Sequence, residues 1–264
     1  MIAPAPAKIN LALVVGPLRD DGKHELLTVY QRVDLGDRVS VEPAAETMVT
    51  GFPEDTIVRA ALALLEAPNG WRVHIDKAIP LAAGLGGGSS DAATALRLAN
   101  AQLDEPRELD PIAARVGADV PFFLQDGPQL GSGDGTTLEP LDLPQDFAVL
   151  LLLPDDTTKR ATADVYRAFD ERDGAAGFDE RVEQLRATHS AVRRPRDLAA
   201  MPPNDLASSP YAARLTALGA FRADVSGAGP TVYGLFHRRA DASRAARALK
   251  GLGRVWITVP AWYG

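Results

Sequence analysis

The chain has 264 residues, a formal net charge of −7, no cysteine, and four histidines without metal-ligand spacing. Disulfides and cysteine-based zinc sites are therefore excluded, and a histidine-based metal site is not expected. The acidic balance argues against nucleic-acid binding but not against a phosphorylated ligand held by backbone N–H groups. The sequence shows no signal-peptide pattern and no apolar run near the ~20 residues of a membrane helix, so we expect a cytoplasmic protein without a membrane partner.

Residues 7–15 alternate in the way of a β-strand. Period-two spacing assigns one face of this strand to the apolar residues Ile9, Leu11, Leu13 and Val15. The opposite face then carries Lys8, Asn10 and Ala12. A surface strand explains Lys8 and Asn10 as well as a functional site does, so the alternation leaves both interpretations open.

The remaining elements follow in chain order. Strands are predicted at 24–33, 37–42, 71–76, 147–153, 222–226, 231–236 and 255–259, with the first two separated by a break near Gly36. Helices are predicted at 55–66, 91–103, 111–117, 163–172, 178–185 and 240–249. The elements mix without strict alternation, which favours an α+β fold. A change of character near 142–148 divides the chain into units 1–145 and 146–264.

The segment Gly84–Asp91 is the strongest local signal. Its glycines let the backbone approach a ligand, and a helix start supplies free N–H groups, so together they suit the triphosphate of ATP. Ser89 and Ser90 offer hydroxyls for phosphate or Mg²⁺ and are, with Asp91, the N-cap candidates. No Gly-Lys-Ser/Thr follows, so this is not a P-loop. The alternative is a turn that merely starts a helix; the preceding strand and Pro80 favour phosphate binding.

Asp119 occupies a short polar spot before an apolar stretch. A turn or helix cap explains this carboxylate as well as a catalytic role does. Spacing along the chain does not show whether Asp119 meets Lys8.

Four segments together resemble the motifs of the galactokinase, homoserine, mevalonate and phosphomevalonate kinase superfamily, and they come in that family's order. They are PAKINLAL (6–13), IPLAAGLGGGSSDAA (79–93), GADVPFF (117–123) and SGAGPTVYGLF (226–236). The first motif, the turn Asp21–His24 and the tripeptide Asn204–Leu206 are most similar to the branch that phosphorylates a cytidine-diphosphate alcohol in the non-mevalonate isoprenoid pathway.

This resemblance implies a two-lobed α+β kinase fold with ATP, Mg²⁺ and the small-molecule substrate in the cleft between the lobes. Asp119 would accept the proton of the substrate's 2-hydroxyl. Lys8 would hold Asp119 ionised and stabilise charge on the transferred phosphoryl group. The resemblance also assigns a run of residues to the ATP phosphates: Ala83, Gly84, Leu85, Gly86, Gly87, Gly88, Ser89, Ser90, Asp91, Ala92 and Ala93. It does not identify the metal ligands.

For the substrate, the resemblance implies that Asn10 orients the alcohol, that His24 recognises the cytosine, and that Tyr166 stacks on the base. Thr162, in the same segment as Tyr166, is also assigned to the substrate. Lys23 stands where the family usually has a tyrosine that covers the other face of the base. The alkyl stem of Lys23 can cover a base, but aromatic stacking on that side is lost. His24 as a turn residue and Tyr166 as a core aromatic remain the simpler alternatives.

Two other functions stay open at this point. One is another kinase of the superfamily, acting on homoserine or a mevalonate. The other is a non-catalytic ligand sensor on the same fold, which should have lost Lys8 or Asp119; both residues are present, which favours an enzyme. The glycine turn at 226–230 is interpreted as structural, letting two backbones approach beneath the ATP loop. The chain is expected to be a monomer or a homodimer.

Overall fold

The computed structural model describes residues 1–52, 54–157 and 161–261. Its first sheet is built around one long strand, β2, which pairs with β1 along one side and with β4 and β5 at the two ends of the other. β3 lies parallel to β4, and β6 lies antiparallel to β5. The strands of this sheet are β1 (Ile2–Leu18), β2 (His24–Ala44), β3 (Met48–Thr50), β4 (Gly70–Asp76), β5 (Gln129–Gly133) and β6 (Thr137–Pro140).

The second sheet is antiparallel, in the order β10-β7-β9-β8. Its strands are β7 (Ala148–Pro154), β8 (Arg222–Val225), β9 (Val232–Phe236) and β10 (Gly253–Thr258). The α-helices are α1 (Ile57–Leu64), α2 (Gly87–Asn100), α3 (Asp110–Val116), α4 (Thr162–Asp170), α5 (Phe178–Ala191), α6 (Pro210–Ala217) and α7 (Arg239–Ala248), and 3₁₀ turns lie at Pro121–Leu124 and Pro195–Ala200. None of the helices in the described part of the chain is both long enough and apolar enough to cross a membrane. The α+β prediction is confirmed.

The two sheets share a hydrophobic core. Ile9 and Leu11 of β1 and Val29 of β2 belong to the same buried cluster as Leu151 of β7 and Tyr233 of β9. All strands before Pro140 lie in the first sheet and all strands after Ala148 in the second. The two sheets therefore follow the predicted division into 1–145 and 146–264, but they share one core cluster. The division into two separate units stays a prediction.

A β-bulge changes which residues of β1 share a face. Asn10 pairs with Tyr30 and Ala12 pairs with Val29, so Leu11 is an extra residue in β1. Beyond the bulge the alternation is inverted, because one inserted residue exchanges the two faces. Leu13 and Val15 therefore pack in a different cluster from Ile9 and Leu11. The prediction that all four share a face was wrong.

The predicted break near Gly36 was also wrong. β2 runs without interruption from His24 to Ala44. What lies near Gly36 is a register shift, because Gly36 pairs with Pro6 whereas Val33 pairs with Ala7. The glycine and the residues before it therefore mark an irregularity within one strand and not a boundary between two.

Helix α2 begins earlier than predicted. Its first residue is Gly87, and its N-cap is Gly86, with φ 70° and no side-chain capping bond. The predicted N-cap candidates Ser89, Ser90 and Asp91 lie inside the helix. A glycine reaches positive φ without steric cost, so the chain turns into the helix at Gly86 and not at the first polar side chain.

The glycine turn at 226–230 packs against the glycine loop at Gly84–Asp91. The Ser226 hydroxyl donates to the carbonyl oxygen of Gly84 at 2.8 Å, and the Thr231 amide donates to the carbonyl oxygen of Ala83 at 3.3 Å. A Cβ atom on Gly84 would lie 2.3 Å from the Ser226 carbonyl oxygen. The expected close approach of two backbones beneath the loop is thus confirmed, and Gly84 is the residue that permits it.

We expect Gly84→Ala to lower the free energy of unfolding by about 2–4 kcal/mol, because a side chain is disfavoured at its φ of +77° and the new atom overlaps backbone. Gly22→Ala is the matched control, since Gly22 has φ +79° but nothing within 4 Å of the new Cβ. The control should lose only about 1 kcal/mol. Urea unfolding measures both, and equal losses would refute the close approach at Gly84.

Candidate functional site

A cleft of about 850 Å³ contains most of the residues singled out from the sequence. β1 and the β1–β2 turn form one wall, the glycine loop and the start of α2 form the second, and α4 forms the third. The glycine turn after β8 closes the base of the cleft. Elements distant in sequence therefore converge on one space, as a binding site requires.

Lys8, Asn10 and Asp119 meet in this cleft. The Lys8 ammonium lies 3.2 Å from Asp119 Oδ2 and donates to Asn10 Oδ1 at 2.8 Å. The Asn10 amide donates to the Thr28 hydroxyl at 2.8 Å, which fixes the orientation of the amide so that its oxygen faces Lys8. The Lys8 side chain is 5% exposed, whereas that of Asp119 is 30% exposed. The carboxylate is therefore the member of the pair that a ligand reaches.

The turn that carries Asp119 is held by β2. Arg32 of β2 donates to the carbonyl oxygens of Phe122 and Gln125, and its guanidinium lies 5.4 Å from the Phe122 ring centre. Burial lowers the pKa of Arg32 to about 10. At neutral pH Arg32 therefore stays charged and can hold both carbonyls.

Tyr30, also on β2, is a site residue that sequence reasoning missed. Its ring stacks on Phe122 at 4.8 Å, and the Lys8 ammonium lies 5.5 Å from its centre. Burial, followed by the charge of Asp119 and a hydrogen bond to it, raises the pKa of Tyr30 well above its ordinary value. Tyr30 thus faces Asp119 as a neutral hydroxyl. Its position opposite Asn10 follows from strand register, which no local motif reveals.

The predicted ATP residues divide into three groups. Gly84, Gly86 and Ser89 line the cleft, and Gly87 and Gly88 lie partly exposed on the first turn of α2. The others are buried behind this surface and do not line the cleft: Ala83, Leu85, Ser90, Asp91, Ala92 and Ala93. The helix start at Gly87 turns the side chains after Ser89 into the core, and Ala83 and Leu85, before the helix, pack in the core that the two sheets share.

The glycine loop is tied directly to β1. The Lys8 amide donates to the Leu85 carbonyl oxygen at 2.9 Å, and a Cβ atom on Gly86 would lie 3.0 Å from Lys8 Cγ. The phosphate-binding candidate and the catalytic candidate are therefore held in a fixed relation by backbone.

The predicted substrate residues of α4 and β2 also come together. The His24 ring stacks on Tyr166 with centres 4.9 Å apart, and its Nε2 lies 2.8 Å from Asp170 Oδ1. Thr162 lines the same part of the cleft. Burial, with a smaller effect of Asp119, raises the pKa of Tyr166 to about 12. The structure thus places an aromatic face and a hydrogen-bonding ring edge at this end of the cleft.

Lys23 pairs with Asp134, a residue that sequence reasoning missed. Lys23 Nζ lies 2.5 Å from Asp134 Oδ2, and the Thr136 hydroxyl donates to Asp134 Oδ1 at 2.6 Å. Partial burial opposes ionisation of Asp134, but hydrogen bonds from Lys23 and Thr136 outweigh it and lower its pKa. The glycines around Asp134 predict a turn, but nothing in the sequence connects that turn to Lys23.

The tripeptide Asn204–Leu206 joins β1 to the second glycine turn. Asn204 Nδ2 donates to the carbonyl oxygens of Gly227, at 2.7 Å, and Val225, at 3.0 Å. Asp205 Oδ2 accepts from the Val15 amide at 2.9 Å. These residues therefore support the floor of the cleft, and only Leu206 reaches its lining.

Two family models match separate parts of the chain. The model described as the GHMP kinases N terminal domain matches residues 55–127, and the model described as GHMP kinases C terminal matches residues 209–254. The first match includes the glycine loop and Asp119, and the second includes β8, β9 and the glycine turn between them.

Solved structures share the fold over almost the whole chain. The crystal structure of a 4-(cytidine 5'-diphospho)-2C-methyl-D-erythritol kinase superposes with a TM-score of 0.78 at 33% identity, covering 99% of this chain and all of the other. The mevalonate kinase of Methanococcus jannaschii superposes with a TM-score of 0.69 at 14% identity, covering 99% of this chain and 98% of its own. The second likeness shows the fold alone.

Relatives by sequence are more specific. The 4-diphosphocytidyl-2-C-methyl-D-erythritol kinase of Anaeromyxobacter sp. (strain Fw109-5) is 40% identical, over 93% of this chain and 85% of the relative. The kinase of the same name from Rhodococcus jostii (strain RHA1) is 38% identical, over 96% of this chain and 89% of the relative. The chain therefore belongs to the family of 4-diphosphocytidyl-2-C-methyl-D-erythritol kinases.

Proposed function

We propose that this kinase transfers the γ-phosphoryl group of ATP to the 2-hydroxyl of 4-diphosphocytidyl-2-C-methyl-D-erythritol, a step of non-mevalonate isoprenoid precursor biosynthesis. The observation that carries the proposal is the reachable carboxylate of Asp119, 3.2 Å from the buried Lys8, in the same cleft as the glycine loop. Family membership supports the substrate, and this geometry supports Asp119 and Lys8 as the catalytic groups.

The proposed step needs a base, an orienting group and a positive charge. Asp119 accepts the hydroxyl proton while the alcohol oxygen bonds to the γ-phosphorus and the bond from that phosphorus to ADP breaks. Lys8 keeps a positive charge beside the carboxylate and the transferred group. Asn10, fixed by Thr28, orients the alcohol. Most of the acceleration then comes from alignment and charge stabilisation.

The phosphates of ATP are assigned to the cradle formed by Gly84, Gly86 and Ser89. Helix α2 begins at Gly87, directly after Gly86 of this cradle, and backbone N–H groups at a helix start bind anions without a net positive charge. No cluster of three or more acidic or histidine side chains that could hold a metal occurs in the residues that the structure describes. When bound with ATP, Mg²⁺ would neutralise charge on the phosphates, and the Ser89 hydroxyl would be the side-chain oxygen offered to it at the cradle.

The base of the substrate is assigned to the end of the cleft with Tyr166 and His24. These rings stand 4.9 Å apart, which is too close to admit a third ring between them. We therefore expect the cytosine to stack on Tyr166 after His24 turns its edge toward the base and leaves Asp170. Lys23, held by Asp134, offers its alkyl stem as a cover at this end.

Asp119→Asn tests the catalytic base. We expect kcat to fall by about 10²–10⁴-fold, because the amide cannot accept the proton, while binding of ATP is retained. The measurement is ADP release under saturating substrates together with nucleotide binding by calorimetry. Turnover close to that of the unmodified chain would remove Asp119 as the base.

Tyr166→Ala tests the stacking role. Loss of one base–aromatic stack costs about 1–3 kcal/mol, so KM for the cytidylated substrate should rise about 5- to 150-fold with little change in KM for ATP. Tyr166→Phe, which keeps the ring, is the matched control and should behave nearly as the unmodified chain does. Equal rises in both KM values would argue against stacking.

A substrate panel tests the function as a whole. ADP release is followed with Mg-ATP and 4-diphosphocytidyl-2-C-methyl-D-erythritol, its uncytidylated phosphate precursor, homoserine or mevalonate. We expect turnover with the cytidylated compound alone, which would also show that Lys23 serves where the family usually has tyrosine. Turnover with another alcohol would overturn the substrate, and ATP binding without any turnover would favour a sensor. A cytoplasmic location and a monomeric or homodimeric state stay predictions.

A further inference from the structure

Two buried carboxylates and one partly buried lysine lie behind the phosphate cradle and take no part in the proposed chemistry. Lys77 lies between two carboxylates, with its ammonium 2.5 Å from Asp37 Oδ2 and 2.8 Å from Asp91 Oδ2. The Asp37 and Asp91 side chains are 0% and 1% exposed. Buried charges are costly unless they are paired, so we ask what this cluster holds in place.

The cluster connects three separate parts of the chain. Asp37 belongs to β2, Lys77 follows β4, and Asp91 lies in α2. The second oxygen of Asp37 accepts from the amides of Ala78 and Ile79, at 2.6 and 2.8 Å. β2 thereby holds the segment that leads into the glycine loop, and Lys77 extends that hold to the helix after the loop.

Lys77 acts from directly beneath the first turn of α2. A Cβ atom on Gly87 would lie only 3.3 Å from its ammonium. Its side chain is 15% exposed, and its ammonium is paired with both Asp37 and Asp91. This paired ammonium thus lies against the backbone of the first turn of α2. Arginine supplies most of the 28 basic residues, and the compact lysine ammonium suits this narrow space better than a guanidinium.

The charge of the cluster also affects the binding of the ATP triphosphate in front of it. Burial raises the pKa of Asp91 to about 7, with Lys77 opposing the rise and Asp37 adding to it. The Oδ1 atom of Asp91 is buried without a hydrogen-bond partner. A second buried negative charge behind the cradle is thus disfavoured, which suits a surface that must accept a triphosphate.

We propose that the Asp37–Lys77–Asp91 cluster positions the first turn of α2, and with it the N–H groups of the glycine loop, for nucleotide binding. Asp91 and Lys77 are then positioning residues and not ligands of the phosphates. This inference rests on the proposed ATP site. It predicts that releasing α2 from the cluster weakens nucleotide binding beyond what a loss of stability explains.

The test compares two substitutions at one position. Asp91→Leu removes the link to α2 and leaves Lys77 paired with Asp37, so no buried charge is left uncompensated. Asp91→Asn keeps an oxygen within reach of Lys77. Binding of a non-hydrolysable ATP analogue with Mg²⁺ to the full chain is measured by calorimetry, without any alcohol. We expect roughly ten-fold weaker binding for Asp91→Leu, and recovery of at least half of that loss, as free energy, for Asp91→Asn.

Val41→Ala is the stability control, because Val41 is buried in the same sheet but lies outside the cleft and the cluster. It should lower Tm while leaving analogue binding within about two-fold, since it opens a cavity and moves no phosphate contact. If Asp91→Leu does not fold, Asp91→Ala takes its place under the same criteria. Equal binding by the leucine and asparagine variants, or a loss no larger than that of Val41→Ala, would overturn the proposal.

The outcome can be separated from that of the substrate panel. Weak binding by Asp91→Leu in a chain that phosphorylates none of the alcohols would support the cluster and overturn the proposed substrate. If Asp91→Leu binds the analogue as the unmodified chain does, and the unmodified chain phosphorylates the cytidylated alcohol, the cluster proposal is overturned and the proposed substrate is supported.

Discussion

The buried ammonium of Lys8 is the constraint from which the site follows. A cation that is almost fully removed from water is stable only beside acceptors, and the Asn10 amide and the Asp119 carboxylate supply them. Asn10 is two residues away, but Asp119 comes from a distant turn, so burial of Lys8 requires that turn to pack against β1. Arg32 and Tyr30 hold the turn from β2. The need to pair one cation thereby places a carboxylate where a substrate can reach it.

Strand β1, which carries Lys8, also positions the rest of the cleft. Its amide at Lys8 binds the glycine loop, and its amide at Val15 is held by Asp205. Between them, the bulge at Leu11 exchanges the two faces of the strand. Lys8 and Asn10 before the bulge and Leu13 after it can therefore all line the cleft, while Ile9 and Leu11 enter the shared core. In a regular strand, Leu13 would share a face with Ile9 and Leu11 and would enter the core with them.

How far the sequence predicts this molecule depends on the range of the interactions. Local patterns correctly indicated most helices and strands, because apolar periodicity and glycine turns are properties of neighbouring residues. They failed for the bulge at Leu11 and for the start of α2, which depend on pairing with another strand and on positive φ at Gly86. The motifs brought out Lys8, Asn10 and Asp119. Tyr30 and Asp134 escaped notice, because each lies beside its partner only through sheet register or a contact between distant turns.

An acidic chain that binds two phosphorylated ligands poses an electrostatic problem, which the proposed phosphate site would resolve through dipoles. In the described part of its lining, the cations Lys8, Lys23 and Arg167 are matched by the carboxylates Asp119, Asp134 and Asp170. Lys8 and Lys23 are moreover paired with two of these carboxylates. Net positive charge is therefore not what attracts the phosphates. The remaining source of attraction is the set of N–H groups of the glycine loop. Their effect on an anion depends on direction, since partial charges stabilise an anion only when they point at it. For this reason the segments that hold the loop matter as much to binding as the residues that touch the ligand.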